Sequence, residues 1–194
     1  MYVPESFAIT DKKEIFRFIE DNGFGQLISN SEGRLFSTPI PFILSEDKSL
    51  LLGHLARNNP QVKDIDGQEI LVTLQGPHHY ISPSWYNNPG VPTWNYQAVH
   101  IYGLCRLVNE SSTLGRMVDR LTEKYESQYR EPWRPDYRQS LLGAIVGIEI
   151  AITEMQCKYK LSQNRPPEDQ AKIIEHLALS GSTQLAEAMK RDNS

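Results

Sequence analysis

The chain has 194 residues, 39% of them hydrophobic, and a formal net charge of −4. That length fits one domain, or one domain with a small appendage, and the apolar fraction is enough for a core. The acidic balance argues against broad nonspecific binding of nucleic acid, which needs a basic face. The two cysteines, Cys105 and Cys157, are too few and too far apart for a zinc motif, and read as buried free thiols in a reducing compartment. No apolar run approaches the roughly 18 residues that cross a membrane, and the N-terminus shows no basic-plus-apolar leader pattern. The expectation is a soluble cytoplasmic protein.

Residues 1–9 read as extended. Asp11-x-x-Glu14 has the pattern of a capping box, and Ile15, Phe18 and Ile19 share one helical face, so 11–21 is expected to be an amphipathic helix ended by Asn22-Gly23. Gly25–Ser29 reads as a strand and Ser31-Glu-Gly33 as a turn. Arg34–Leu44 is a second strand interrupted by Pro39 and Pro41, whose missing N–H groups point the same way and leave an edge that cannot pair fully. Leu50–Leu55 continues this meander. Asn59 and Pro60 mark the cap and first position of a short helix running to about Ile65.

Gln68–Gln75 is the next strand, followed by a loop over Gly76–Tyr96. A long strand over Tyr96–Val108 then alternates Val99, Ile101, Gly103, Cys105 and Leu107 with His100, Tyr102, Leu104 and Arg106. Residues 110–127 read as a helix capped by Asn109 or Ser111, with Leu114, Met117, Val118, Leu121 and Tyr125 as its buried stripe. Glu131–Pro135 is a rigid break, and a short helix is expected near 136–142. Ala144–Tyr159 is the second long strand. Pro166-Pro167 breaks the chain, and helices at about 168–179 and 183–190 flank Ser180-Gly-Ser182. This order predicts a mainly β fold with α decoration: a β-barrel over 1–165, with a C-terminal helical hairpin over 166–194 packed on it. An open α+β sheet is the alternative.

Three stretches carry chemistry. Gly76–Tyr96 holds four of the twelve prolines, two of the three tryptophans and two of the five histidines. Its prolines stiffen it, and its Trp and Tyr rings suit either stacking on a planar ligand or sealing a barrel end. His54-Leu-Ala-Arg57-Asn58-Asn59-Pro60 joins a strand to a helix start, where free backbone N–H groups beside the Arg57 fork make a phosphate site; the alternative is a solvated surface charge. Lys160-Leu-Ser-Gln-Asn164-Arg165 ends a strand with five polar side chains in six, which reads as a ligand- or partner-facing segment or as a polar barrel rim. His54, His78, His79 and His100 have no spacing that demands a metal. There is no nucleophile elbow, no phosphate-binding glycine loop with lysine and no His-Glu-x-x-His, so hydrolase, nucleotidase and metalloprotease chemistry has no support.

Gly76-Pro-His-His-Tyr-Ile-Ser-Pro-Ser-Trp-Tyr86, Val91-Pro-Thr-Trp-Asn-Tyr96, Gly53-His-Leu-Ala-Arg-Asn-Asn-Pro-Gln61 and Lys160-Leu-Ser-Gln-Asn-Arg165 together resemble the PaiB family, in the same order and over nearly the whole chain. The resemblance implies an FMN-binding split barrel, usually a homodimer, described in the family as a negative transcriptional regulator. It places the FMN phosphate near His54, Arg57, Asn58 and Asn59. Trp94, with Trp85 and Tyr96, becomes a candidate to cover the flavin ring. Gln75 and Asn95 become candidates for its pyrimidine edge, since amides both donate and accept. Asn164 and Arg165 are candidates to reach the cofactor across a dimer interface, where positive charge would favour the anionic reduced ring.

A regulator raises the question of DNA. Ser180-Gly-Ser182 between two helices has a helix-turn-helix outline. Residues 168–194, however, carry five acids against three bases, a poor balance for phosphate contacts, so a packed helical hairpin is the stronger expectation. A small FMN-dependent oxidoreductase using NAD(P)H is the alternative function, although no dinucleotide fingerprint occurs.

Overall fold

Strand alternation sets most of this architecture. The structure is a computed structural model and describes residues 1–134 and 139–192. A turn of 3-10 helix at Glu5–Phe7 leads into β1 (Ala8–Ile9), α1 (Lys12–Asp21), β2 (Phe24–Ser31), β3 (Arg34–Pro41), β4 (Ile43–Leu44) and β5 (Leu50–Ala56). A 3-10 turn at Pro60–Lys63 precedes β6 (Glu69–Ile81), β7 (Thr93–Val108) and α2 (Ser111–Glu126). A 3-10 segment at Gln139–Ala144, β8 (Ile145–Lys160), α3 (Pro167–Leu179) and α4 (Thr183–Asp192) complete the described chain. The strands form one sheet in the order β3-β2-β6-β7-β8-β5-β4, with β1 paired to β8.

The chain groups into two compact units. One comprises Met1–Phe18, Gln75–His100 and Gln156–Ser194; the other comprises Ile19–Leu74 and Ile101–Met155.

In the second unit, β2 and β3 pair over eight residues from Phe24↔Pro41 to Ser31↔Arg34. Glu32 and Gly33 both have positive φ, the two-residue turn whose twist matches a hairpin. The expected strand over 34–44 divides at Phe42 into β3 and β4; Phe42 is fully buried, and its N–H still bonds the Gly23 carbonyl, in register with the β2–β3 pairing, before β4 passes to β5. β5 pairs with β8 from Leu50↔Ala151 to Ala56↔Ile145. α2 lays Leu114 and Met117 over Gly147, where an added Cβ would meet Leu114 at 3.2 Å and Met117 at 3.2 Å. Ile43, Leu52, Val108 and Met117 form a buried cluster there.

Gln61, fully buried, ties the 3-10 turn to the hairpin. Its amide donates to Ser29 Oγ at 2.7 Å and the Leu27 carbonyl at 3.3 Å, and it accepts from the Thr38 hydroxyl. The cysteines Cys105 and Cys157 are buried, and burial pushes both thiols up to about 12, so neither is a nucleophile at neutral pH.

In the first unit, α1 forms where expected. Asp11 accepts the Lys13 N–H at 3.0 Å, but Glu14 does not close a capping box; it pairs with Arg17 and accepts the Tyr159 hydroxyl at 2.9 Å. β6 runs through Gly76–Ile81, a stretch expected to be loop. It stays extended as the continuation of β6, with Gly76 and Ile81 buried, so the connecting loop is 82–92. Gly181, at φ +84°, ends α3, and the Ser182 N–H reaches back to the Leu177 carbonyl at 2.9 Å, a left-handed glycine stop. The expected helix near 136–142 falls partly on 136–138, outside the described residues.

Glu110 caps α2, in place of Asn109 or Ser111. Its carboxylate accepts the N–H groups of Ser112 at 2.8 Å and Thr113 at 2.7 Å; the Thr113 and Ser112 side chains first, then these N–H groups, hold it down at about 2. The folded value lies below the unfolded 4.5, so this stabilisation is complete above pH 4.5 and is lost as the pH falls toward 2. An acid titration followed by circular dichroism is expected to show this component in the natural chain and to lose it in Glu110→Gln. Gly103 sits where a Cβ would lie 2.4 Å from the Ala151 carbonyl oxygen. Gly103→Ala is therefore expected to cost about 2 kcal/mol or more in urea unfolding.

Candidate functional site

Two sets of side chains answer the sequence expectations, one in each unit. In the second unit, β5 ends in His54-Leu-Ala and the chain turns through Arg57 and Asn58 to Asn59. His54 is half-buried, and burial lowers its pKa, keeping the imidazole neutral. Asn59 caps as expected, accepting the Gln61 N–H at 2.9 Å, and also donates to Thr38 Oγ1 at 3.0 Å. The helix it starts is a single 3-10 turn of four residues.

The Arg57 guanidinium is exposed but engaged. It donates to the carbonyls of Gly143 at 2.7 Å and Ile145 at 2.9 Å, and to Asn109 Oδ1 at 3.1 Å. Its own N–H bonds the Ala144 carbonyl at 2.8 Å. Arg57 therefore bolts the segment before β8 to the end of β5, and any anion there would meet a fork whose main donors are already in use. Asn58 is exposed beside it.

In the first unit, period-two alternation puts His78 and Tyr80 of β6 near Trp94 of β7, with ring centroids 6.3 and 6.1 Å away. Trp94 is 53% exposed, a large apolar face turned outward. Lys160 donates to the Trp94 carbonyl at 2.8 Å and to the Thr93 hydroxyl. Lys158 lies over the rings of Tyr2 and Tyr96, and Arg165 over Tyr86 at 4.3 Å. None of these three cations has a carboxylate partner among the described residues. Burial first, then Lys158 and Arg165, lower the Lys160 pKa, which marks a place where positive charge lacks compensation.

The remaining expectations divide. Asn95 is fully buried and turned inward. Its amide donates to Ser162 Oγ at 2.9 Å and toward the Met189 sulfur at 3.5 Å, and its oxygen accepts from the same hydroxyl, so the protein uses both ends of the amide. Gln75 and Asn164 are exposed. Trp85 stacks on His176 at 4.9 Å and 12°. Together with the Asn87 N–H on buried Asp169 at 2.6 Å and the Arg165–Pro89 carbonyl bond at 3.3 Å, this holds the loop 82–92 on α3. Lys158 stood outside the stretches singled out in sequence, and Lys160, His78 and Tyr80 lay within them without an individual cofactor role. Their signal was the i, i+2 spacing on two strands, visible once strand boundaries are known.

An exposed aromatic face beside three unmatched cations fits, in its chemistry, a planar anionic cofactor such as a flavin mononucleotide. The architecture is that of the flavin-binding split barrels. Residues 1–154 match the family described as "Putative FMN-binding domain". The chain is 40% identical over 185 residues to the "Protease synthase and sporulation protein PAI 2" of Bacillus subtilis, covering 91% of this chain and 89% of that one.

Among solved structures, the flavocytochrome Anf3 of Azotobacter vinelandii superposes with a TM-score of 0.68 at 18% identity, covering 88% of this chain and 78% of that one. An FAD- and heme-binding protein of Mycobacterium smegmatis gives 0.66 at 15%, covering 84% and 78%. The two structures share the fold. This chain belongs to the PaiB family of FMN-binding split-barrel proteins, and its cofactor is FMN. No described helix is long and apolar enough to cross a membrane.

Arg57 makes a sharp test of its own role. A lysine keeps the charge but cannot make three forked bonds. Arg57→Lys is expected to lose about 1–2 kcal/mol in urea unfolding, close to the loss in Arg57→Ala. If Lys preserved stability and Ala removed it, charge rather than the fork would be the reason for arginine here.

Proposed function

We propose that this protein is a homodimeric FMN-binding regulator, and that the face formed by Trp94, Tyr80, Lys160 and Arg165 holds the cofactor. The observation that carries this reading is the half-buried Lys160, crowded by Lys158 and Arg165 with no carboxylate opposite. A bound anion supplies what that set lacks. Trp94 offers the cofactor an apolar face, and the pinned loop 82–92 screens the neighbouring surface. When bound, FMN supplies a ring that takes up and returns electrons. Lys160 would stabilise negative charge beside it.

The regulatory part is supported by the Bacillus subtilis relative, named as a protease synthase and sporulation protein and matched along 89% of its length. Direct DNA reading by α3 and α4 has little behind it. The inward side of α4 is occupied by Leu185, Ala186, Ala188 and Met189, all buried, and the segment remains acid-rich. Regulation would therefore run through cofactor state or a partner protein.

The purified protein is expected to show flavin absorption bands, or to take up added FMN to one per chain, and to sediment as a dimer. Lys160→Gln and Trp94→Ala are each expected to weaken FMN about tenfold. A colourless protein that takes up no FMN would overturn the cofactor reading. FMN-dependent NAD(P)H consumption that survives repurification would move the function to an oxidoreductase.

A further inference from the structure

A second concave site, lined entirely by residues of the first unit, lies away from the cation set. It is a cavity of about 110 Å³ reached by side chains of β1, α1, β7, β8 and α4. Gln97 and Tyr159 enter it from β7 and β8. One residue of alternation separates them from Tyr96, Lys158 and Lys160, so they project to the opposite face.

Three features of this cavity converge. Gln97 is only 6% exposed, yet its carboxamide has no partner among the described residues. Its amide atoms are not sealed in the core but open to the cavity, free to meet a ligand. The carboxylate in the lining, Glu14, is already committed to its salt bridge with Arg17 and to the Tyr159 hydroxyl at 2.9 Å; burial raises the Tyr159 pKa, so that hydroxyl remains a donor. Arg191, in the last turn of α4, lines the same cavity and has no carboxylate partner among the described residues. A cationic fork and an amide with free donors thus line one small space in which the acid is neutralised.

Size and wall chemistry narrow the ligand. Water occupies about 30 Å³ per molecule, so the space takes a ligand of only a few heavy atoms and excludes a nucleotide or a flavin. A guanidinium fork matches a planar carboxylate, and an amide N–H adds a further donor. Ile9 and Ala188 supply an apolar wall for a short carbon tail.

We propose that this cavity binds a small aliphatic carboxylate, of the size of acetate or propionate, with its head on Arg191 and Gln97 and its tail against Ile9 and Ala188. Occupancy would fasten the end of α4 to β7 and stabilise the folded chain. The proposal depends neither on FMN nor on the dimer.

The test is calorimetric titration and thermal melting of the purified full chain with sodium propionate and sodium acetate, against sodium chloride and sodium phosphate at matched ionic strength. Expected are saturable binding of propionate with a rise in Tm, weaker binding of acetate and no effect of chloride. Arg191→Gln lies on an exposed helix end and is expected to melt like the natural chain without ligand and to hold the same FMN. That variant and Gln97→Leu are each expected to bind propionate about tenfold more weakly or worse. No saturable heat with propionate, or unchanged affinity in Arg191→Gln, would overturn the site. Tighter binding of phosphate than of propionate would overturn its assignment to carboxylates.

Discussion

A β-strand cannot show the same side chain to both of its faces, and three long strands in this protein exploit that constraint. On β8, Lys158 and Lys160 face one way while Cys157 and Tyr159 face the other. On β7, Trp94 and Tyr96 alternate with Asn95 and Gln97. The same stretch of chain can therefore bury a core on one side and hold cations and an aromatic face on the other. The cost is electrostatic. Lys160 is half-buried beside two more cations, and its lowered pKa records that strain. The FMN of this family is the group whose charge would relieve it.

Polar hubs do a different job in the other unit. Gln61 and Arg57 both hold backbone that has no regular ladder to join. Gln61 satisfies strand groups around a 3-10 turn, and Arg57 collects carbonyls ahead of β8. An arginine next to a capped turn resembles a phosphate site in sequence, but its fork is equally suited to bridging carbonyls. Partners decide between the two uses, and here the partners are Gly143, Ile145 and Asn109.

Much of the fold was legible because its periods are clean. The α1 face of Ile15, Phe18 and Ile19, the Asn59-Pro60 cap and the Leu114 and Met117 part of the α2 stripe were read from local spacing alone, as was the family from four ordered motifs; Tyr125, expected in that stripe, is exposed at the end of the helix. Less legible was whatever depends on distant chain. Gly76–Ile81 stays extended because it continues β6 within the sheet, which Pro77 and the two histidines do not advertise. Glu110 caps α2 although glutamate is a poorer guess than its neighbours Asn109 and Ser111, because its longer side chain reaches two N–H groups. Arg57 meets groups from 109 to 145, and Asn95 meets Ser162 and Met189, contacts that no local window contains. The unmatched state of Lys160 likewise required knowing which carboxylates are elsewhere.

The central claim is that Lys160 sits in uncompensated positive charge that FMN relieves. The direct measurement is the pKa of Lys160, followed by NMR on isotopically labelled lysine methyl derivatives, with and without FMN. The expected result is a value below that of an ordinary lysine in the free protein and a rise when FMN binds. A Lys160 pKa that is ordinary without cofactor, or that does not move when FMN is bound, would contradict it.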